Sequence, residues 1–317
     1  MPAMASEFDR FAKFVATLGR GPGRSRALSR EEAREAFGMV LRHKADPHQV
    51  GAFLMLLRFR GEDAGEISGM VEAARDTIGS QGAQTDLDWP SYGAGRTRGA
   101  PWFLLSALAL ARAGTTVLMH GSNEYSAGIS VEAGLQAVGP RVARFTYLPL
   151  ASLLPAMNDL LQMRRLFGLR SPVNTVARLL NPGDAPASVD GVFHPPYLAV
   201  HLGVAELLAR KRLFVLKGGG GEAERVPLKD ASALLWDHTL GRSEVALPAW
   251  PGLSPLTPAS DTPELLAAVW RGEIAPPTAV ATVIATIGLG LVALGWAVTA
   301  EAAERDAQQI WRDRLPT

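Results

Sequence analysis

The segment Val117-Leu118-Met119-His120-Gly121-Ser122 reads as a strand that ends in a histidine and opens into a serine- and glycine-bearing polar run. At the carboxyl edge of a parallel sheet, such an ending sets backbone N–H donors and an imidazole where α/β proteins seat phosphates. His120 is then either a general base or phosphate contact, or a histidine hydrogen-bonded in the core. Two further segments have the same form. Tyr92-Gly93-Ala94-Gly95-Arg96-Thr97-Arg98-Gly99 follows a short strand and precedes a helix. Its glycines allow a tight turn with convergent N–H groups, and Arg96 and Arg98 add charge; the plainer alternative is a Gly-rich connection with solvated arginines. Lys217-Gly218-Gly219-Gly220-Gly221-Glu222-Ala223-Glu224-Arg225 follows another strand. Ordering four glycines costs backbone entropy, which a phosphate cradle rimmed by Lys217 and Arg225 would explain; a mobile loop over a pocket is the alternative.

Arg164, Arg165, Arg170 and Arg178 fall on or between helices in residues 162–180. Helical spacing leads from Arg164 to Gly168 and from Arg165 to Leu169, so they do not make one basic stripe. Turned toward a cleft they form a phosphate-binding wall; turned outward they are solvated. His43, His48, His194, His201 and His238 show no metal-ligand spacing, and no metal site is expected. The chain has no cysteine, which excludes disulfides, thiolate catalysis and cysteine-ligated metals. With 32 Lys+Arg against 31 Asp+Glu, the net charge of +1 gives no global pull toward nucleic acid or membrane. An anion-binding role must come from local clustering, for which arginine's planar fork is the better tool.

These segments need a scaffold. Apolar residues recur at helical spacing over 8–18, 30–43, 49–59 and 66–78, with Ser29, Asp46-Pro47 and Gly61-Glu62-Asp63 as start signals, so the first 80 residues are expected to be helical. Strand candidates at 86–90, 115–120, 143–148 and 213–216 then alternate with helices at 100–113 and 198–209. That alternation predicts an α/β fold with a mostly parallel central sheet covered on both faces. Two helices in 159–182 interrupt it and are expected to pack back on the N-terminal ones. The predicted organisation is a helical domain, 1–82 with 157–184, and an α/β domain, 83–156 with 185–317. The uncharged run 278–300 is long enough to span a membrane, but its glycines and alanines and its lack of flanking Lys or Arg predict a buried core helix, with no membrane partner. Glu7 and Asp9 and the missing apolar leader point to a cytoplasmic protein.

A family resemblance enters at Gly168-Leu169-Arg170-Ser171-Pro172-Val173-Asn174 and on to Asn181-Pro182, which resembles an element of anthranilate phosphoribosyltransferase, in glycosyltransferase family 3. The His120-Gly121 strand resembles that family's Lys-His-Gly-Asn motif. The resemblance implies a small helical domain plus a large α/β domain. It also gives Arg164 the position of the arginine that meets anthranilate's carboxylate.

The departures are as informative. Met119 stands for the motif's lysine and Ser122 for its asparagine; Tyr92 to Gly99, with Arg96 and Arg98, replaces the pyrophosphate loop; and Ala223-Glu224 replaces the Asp-Glu pair that holds magnesium. Phosphoribosyl transfer depends on neutralising the departing diphosphate, so efficient catalysis is not expected. The replacements resemble the family's nucleic-acid-binding YbiB-type offshoot, through Trp89-Pro90-Ser91-Tyr92, Met119-His120-Gly121 and Lys217 to Glu222. That likeness implies a cytoplasmic homodimer binding the DNA or RNA phosphate backbone without sequence preference and without a cofactor. The contacts expected are Arg96, Arg98, Arg164, Arg165, Arg170, Arg178, Lys217, Arg225 and the amides of Gly218, Gly219, Gly220 and Gly221, with Tyr92 or Trp102 available for base stacking. The alternative is a phosphoribosyltransferase acting on phosphoribosyl pyrophosphate and anthranilate or a related acceptor, using His120, Glu224 and a weakened magnesium site.

Overall fold

The computed structural model describes residues 7–79, 84–93, 99–122, 128–139, 141–256 and 261–315. In chain order its first half holds α1 (Glu7–Gly19), α2 (Arg30–Leu41), α3 (Pro47–Arg60), α4 (Ala64–Ile78), β1 (Leu87–Ser91), α5 (Trp102–Arg112), β2 (Val117–Gly121), α6 (Val131–Val138) and β3 (Phe145–Pro149). Four short helices follow: α7 (Leu150–Leu153), α8 (Pro155–Gln162), α9 (Arg164–Phe167) and α10 (Val173–Arg178). The remainder is β4 (Ala187–Val192), α11 (Pro196–Leu207), β5 (Arg212–Lys217), β6 (Ala231–Asp237), β7 (Gly241–Leu247), α12 (Pro263–Arg271), α13 (Pro277–Leu294) and α14 (Ala300–Arg312). These form two compact units, Met1–Gln81 with Pro149–Pro182, and Gly82–Leu148 with Gly183–Thr317. The second stretch of the helical unit thus starts at Pro149 and takes in α7 and the start of α8.

In the helical unit the start signals act as the sequence implies. Ser29 caps α2 in a reciprocal box with Glu32, Asp63 does the same for α4 with Glu66, and Asp46 accepts from the His48 N–H ahead of α3. α2 and α4 pack so closely that a Cβ on Gly69 would collide with the Arg30 carbonyl oxygen. Glu66 is buried but satisfied, accepting from the Leu28 N–H at 2.9 Å and Arg60 Nη1 at 3.1 Å. The α8–α9–α10 stretch is broken at Gly168, which sits in the left-handed region at φ +66.

In the α/β unit one sheet runs β3-β2-β1-β4-β5-β6-β7. The β1/β2, β1/β4 and β4/β5 pairs are parallel and β5/β6 and β6/β7 antiparallel, so the sheet is mostly parallel with an antiparallel edge. Leu87, Trp89, Val117, Met119, Val189, Phe214 and Leu216 share one face and the main apolar core with α5 and α13. α13 is long and apolar enough to cross a membrane, yet 72% of it is buried inside the unit. Gly290 lets it approach α5, since a Cβ there would press on Leu110. It is a core helix, as expected.

Three strands, β4, β6 and β7, escape the sequence patterns for physical reasons. β4 contains Asp190 and Gly191, poor strand formers. Gly191 is needed because a Cβ would strike the Glu222–Ala223 backbone. The β6–β7 hairpin turns at Gly241, φ +80, and its strands show no clean alternation.

Candidate functional site

Strand order reverses beside β1: the chain runs outward through β2 and β3, then returns to lay β4 on the other side. Such a switch point opens a crevice at the carboxyl ends of the strands, where α/β proteins bind ligands. Here the opening is visible in the register, because β1/β4 pairing ends at Asp88↔Ser188. Around it stand Tyr92 and Gly93 after β1, Ser122 after β2, Phe193 and His194 after β4, and Lys217 at the end of β5.

The floor beneath is polar. Asp88, His120, Ser188 and Asp190 lie on the sheet face opposite the apolar core, and each is at most 1% exposed. Tyr92 Oη and His120 Nδ1 are 2.8 Å apart, and His120 Nε2 is 3.3 Å from Asp88 Oδ1. Tyr92 donating to Nδ1 leaves Nε2–H facing Asp88, in ion-pair range but without a formed hydrogen bond. On the next strand Asp190 Oδ2 meets His201 Nδ1 of α11 at 2.8 Å. His120 is therefore a buried, positioned imidazole between a phenol and a carboxylate. A short distance away, burial and then Glu132 push the Tyr147 phenol up, with Tyr92 and Glu222 adding to the shift.

The loop after β5 explains its glycines. Gly220 and Gly221 sit at φ +67 and +82, and a Cβ on Gly218 would collide with the Glu222 carbonyl oxygen. The Gly218 N–H donates to Val192 O and the Gly221 N–H to Gly218 O, so two of the four amides expected in a cradle are used inside the fold. Lys217 is exposed at the rim. Arg225 is only 6% exposed: Nη2 donates to the carbonyls of Lys229, Leu247 and Pro248, Nη1 to Val226, and burial lowers its pKa from the ordinary arginine value. Its charge clamps the β7 end to the 226–229 turn. Glu224 Oε2 accepts from the Phe103 N–H at 2.9 Å, in the first turn of α5, and Asp261 Oδ2 accepts from the Ala100 N–H at 2.9 Å just before it.

Arg96 and Arg98 lie outside the described residues, as do Ala94, Gly95 and Thr97. In the helical unit Arg165 is exposed, Arg164 and Arg170 are half-buried, and Arg178 is buried with Nη1 donating to Asn174 O at 3.0 Å. Tyr92 and Trp102 are both 2% exposed, so neither offers a ring face for stacking. Among the described residues no group of three His, Asp or Glu side chains is placed to hold a metal ion. The sequence reading missed Asp88, Asp190 with His201, and Asp261. Acids inside strands buried on both faces were the signal that marked the first two.

Comparison with known proteins gives the scaffold a setting. Residues 13–78 match the helical bundle domain of the glycosyl transferase family. An anthranilate phosphoribosyltransferase of Beijerinckia indica is 29% identical over 227 residues, covering 67% of this chain and 65% of that protein. One of Mesorhizobium japonicum is 30% identical over 210 residues, covering 61% and 62%. The aligned parts thus span less than two thirds of these relatives. In fold, the anthranilate phosphoribosyltransferase of Thermus thermophilus superposes with a TM-score of 0.76 at 23% identity, over 97% of this chain and 95% of that one. The Saccharomyces cerevisiae enzyme, in complex with PRPP and Mg, gives 0.75 at 15% identity, over 96% and 94%. The chain therefore has the anthranilate phosphoribosyltransferase fold and is similar in sequence to those enzymes, with a glycosyl transferase helical bundle at its start.

Proposed function

We propose that the chain binds phosphoribosyl diphosphate at the carboxyl edge of its sheet and acts as a glycosyltransferase of the pentosyl class, with anthranilate or a related aromatic amine as acceptor. What supports this reading is a double likeness to anthranilate phosphoribosyltransferases, in sequence over about two thirds of the chain and in fold over nearly all of it. In such a transfer the acceptor nitrogen bonds to the ribose anomeric carbon, the bond to diphosphate breaks, and the nitrogen's proton leaves to a base or to water. Lys217, exposed where β5 ends, would face the diphosphate.

The yeast relative was solved with Mg, and the residues here do not fit that ion. Ala223 is fully buried where an acid is expected, and Glu224 is committed to the start of α5. No step is routed through a metal; neutralising the diphosphate falls to cationic side chains. The test is to mix the full chain with phosphoribosyl diphosphate and anthranilate, with magnesium and with EDTA. The expected result is slow release of diphosphate in both; no turnover in either, at high protein concentration, would remove the reading.

A second reading is favoured by the same loss of the acid pair together with the exposed Arg165 and the half-buried Arg164 and Arg170. It is a cytoplasmic homodimer that holds DNA or RNA by the phosphate backbone without sequence preference. Gel shifts across salt concentrations check it: affinity should fall steeply, and a flat log–log plot or no shift at low ionic strength rejects it.

A further inference from the structure

Apart from the crevice, the α/β unit holds an open cavity of about 470 Å³, within the size range of small-molecule sites. Its walls come from four stretches of chain: Trp102 in the first turn of α5, Leu256 from the segment after β7, Leu265 in α12, and Pro276 and Thr278 at the start of α13. Each wall is pinned. Thr278 Oγ1 donates to Ser254 O at 2.7 Å, tying the 252–256 segment to α13, and Thr262 Oγ1 accepts from the Leu265 N–H at 3.1 Å, fixing the start of α12. Asp261 Oδ2 accepts from the Ala100 N–H at 2.9 Å, so its carboxylate is held at the wall beside α5. A cavity held this way takes a ligand without first ordering its own walls. None of Tyr92, His120, Ser122, His194 and Lys217, which surround the crevice, lines it.

The lining sets the chemistry of an occupant. Indole, leucine and proline surfaces offer apolar contact to a flat ring and little to a hydrated group. Asp261, half-buried, is the one ionisable side chain among the described lining residues, so no Lys, Arg or His there offsets its charge. Among the described residues the Ala100 N–H is its one hydrogen-bond donor. An anion would meet that carboxylate with nothing to neutralise it, whereas an ammonium or amidinium would pair with it in a partly desolvated setting, where such hydrogen bonds are strong. We propose that this cavity is a second ligand site of the chain, taking a small organic cation: an amine or amidine carried on a flat apolar ring. The ring lies against Trp102, Leu256, Leu265 and Pro276, and the cation on Asp261. This goes beyond the phosphoribosyl reading, which concerns an anion at the sheet edge.

Benzamidine is the probe and benzoate, of the same shape and opposite charge, the control, in titration calorimetry on the full chain. The expected result is saturable binding of one benzamidine per chain and no detectable binding of benzoate. Asp261→Asn keeps an acceptor for the Ala100 N–H and removes the charge, and it should weaken benzamidine about tenfold or more. Leu265→Trp, which fills the cavity from a half-buried position, should abolish binding, and Lys217→Ala should leave it unchanged. No saturable benzamidine binding overturns the proposal. So does equal affinity for benzoate, binding that survives Asp261→Asn or Leu265→Trp at full strength, or a loss in Lys217→Ala, which would put the probe at the crevice. Thermal unfolding of each variant checks the fold; if one melts early, the other and the benzoate comparison decide the matter. Benzamidine binding by a chain with no affinity for phosphoribosyl diphosphate leaves the cavity site standing and removes the transferase reading. The reverse pattern does the opposite.

Discussion

The two faces of the central sheet are made by alternate residues of the same strands, yet they obey different rules. On one, Leu87, Trp89, Val117, Met119, Val189 and Phe214 fill a close-packed core with α5 and α13. On the other, Asp88, His120, Ser188 and Asp190 are equally buried, and several of their polar atoms, both Asp88 oxygens among them, find no hydrogen-bond partner among the described residues. Burying a carboxylate whose oxygens make no hydrogen bond costs stability, whereas burying an indole supplies it. The apolar face thus holds the fold and the polar face weakens it, which is the pattern expected where structure gives way to a ligand site.

The sharpest break of that comparison is Trp89→Ala against Asp88→Asn, adjacent positions on opposite faces. Trp89→Ala should destabilise by about 3–5 kcal/mol, read from urea unfolding, because the cavity cannot collapse within the packed layer. Arg225→Met comes next. It leaves four carbonyl groups without their donor and should cost at least about 2 kcal/mol, with little effect on anion affinity. A loss of affinity at unchanged stability would instead place Arg225 in the site. Asp88→Asn should be neutral or stabilising by up to about 1 kcal/mol in the same unfolding assay, since the amide keeps the shape without the buried charge. A large loss would mean that the carboxylate is structural. Lys217→Ala, at the exposed rim, should leave stability within about 0.5 kcal/mol and weaken phosphoribosyl diphosphate binding several-fold by calorimetry.

The smallest effect belongs to the helical unit. Glu32 is held down to about 2, first by its hydrogen bond with Arg26 and also by the Ser29 N–H of the α2 cap. A carboxyl whose pKa is depressed by folding adds stability above its unfolded value, and that share is lost as pH falls from about 4.5 toward 2. Glu32→Gln should therefore flatten the acid limb of the thermal-unfolding profile over that interval.

Much of the scaffold was legible because its signals are local. The caps at Ser29, Asp46 and Asp63 and the run that became α13 are set by chemistry within a few residues of themselves. The site was less legible, since its residues meet only through the sheet. The Gly218 to Gly221 run looked like a cradle, but close approach to Glu222 and positive φ explain most of it. Arg225 looked like a rim cation, yet what it meets are carbonyls contributed by β7 and by the 226–229 turn. Glu224 looked like a remnant of a metal site, and only the fold puts the Phe103 amide against it. Spacing along the chain cannot report such partners.

The central claim, a phosphoribosyl ligand at the carboxyl edge of the sheet, is tested most directly by titrating the full chain with phosphoribosyl diphosphate in EDTA. Saturable binding of one molecule per chain, weakened by Lys217→Ala and untouched by Arg26→Ala, is the predicted result. No detectable binding, from a chain that under the same conditions takes up a DNA oligomer with steep salt dependence, would contradict it.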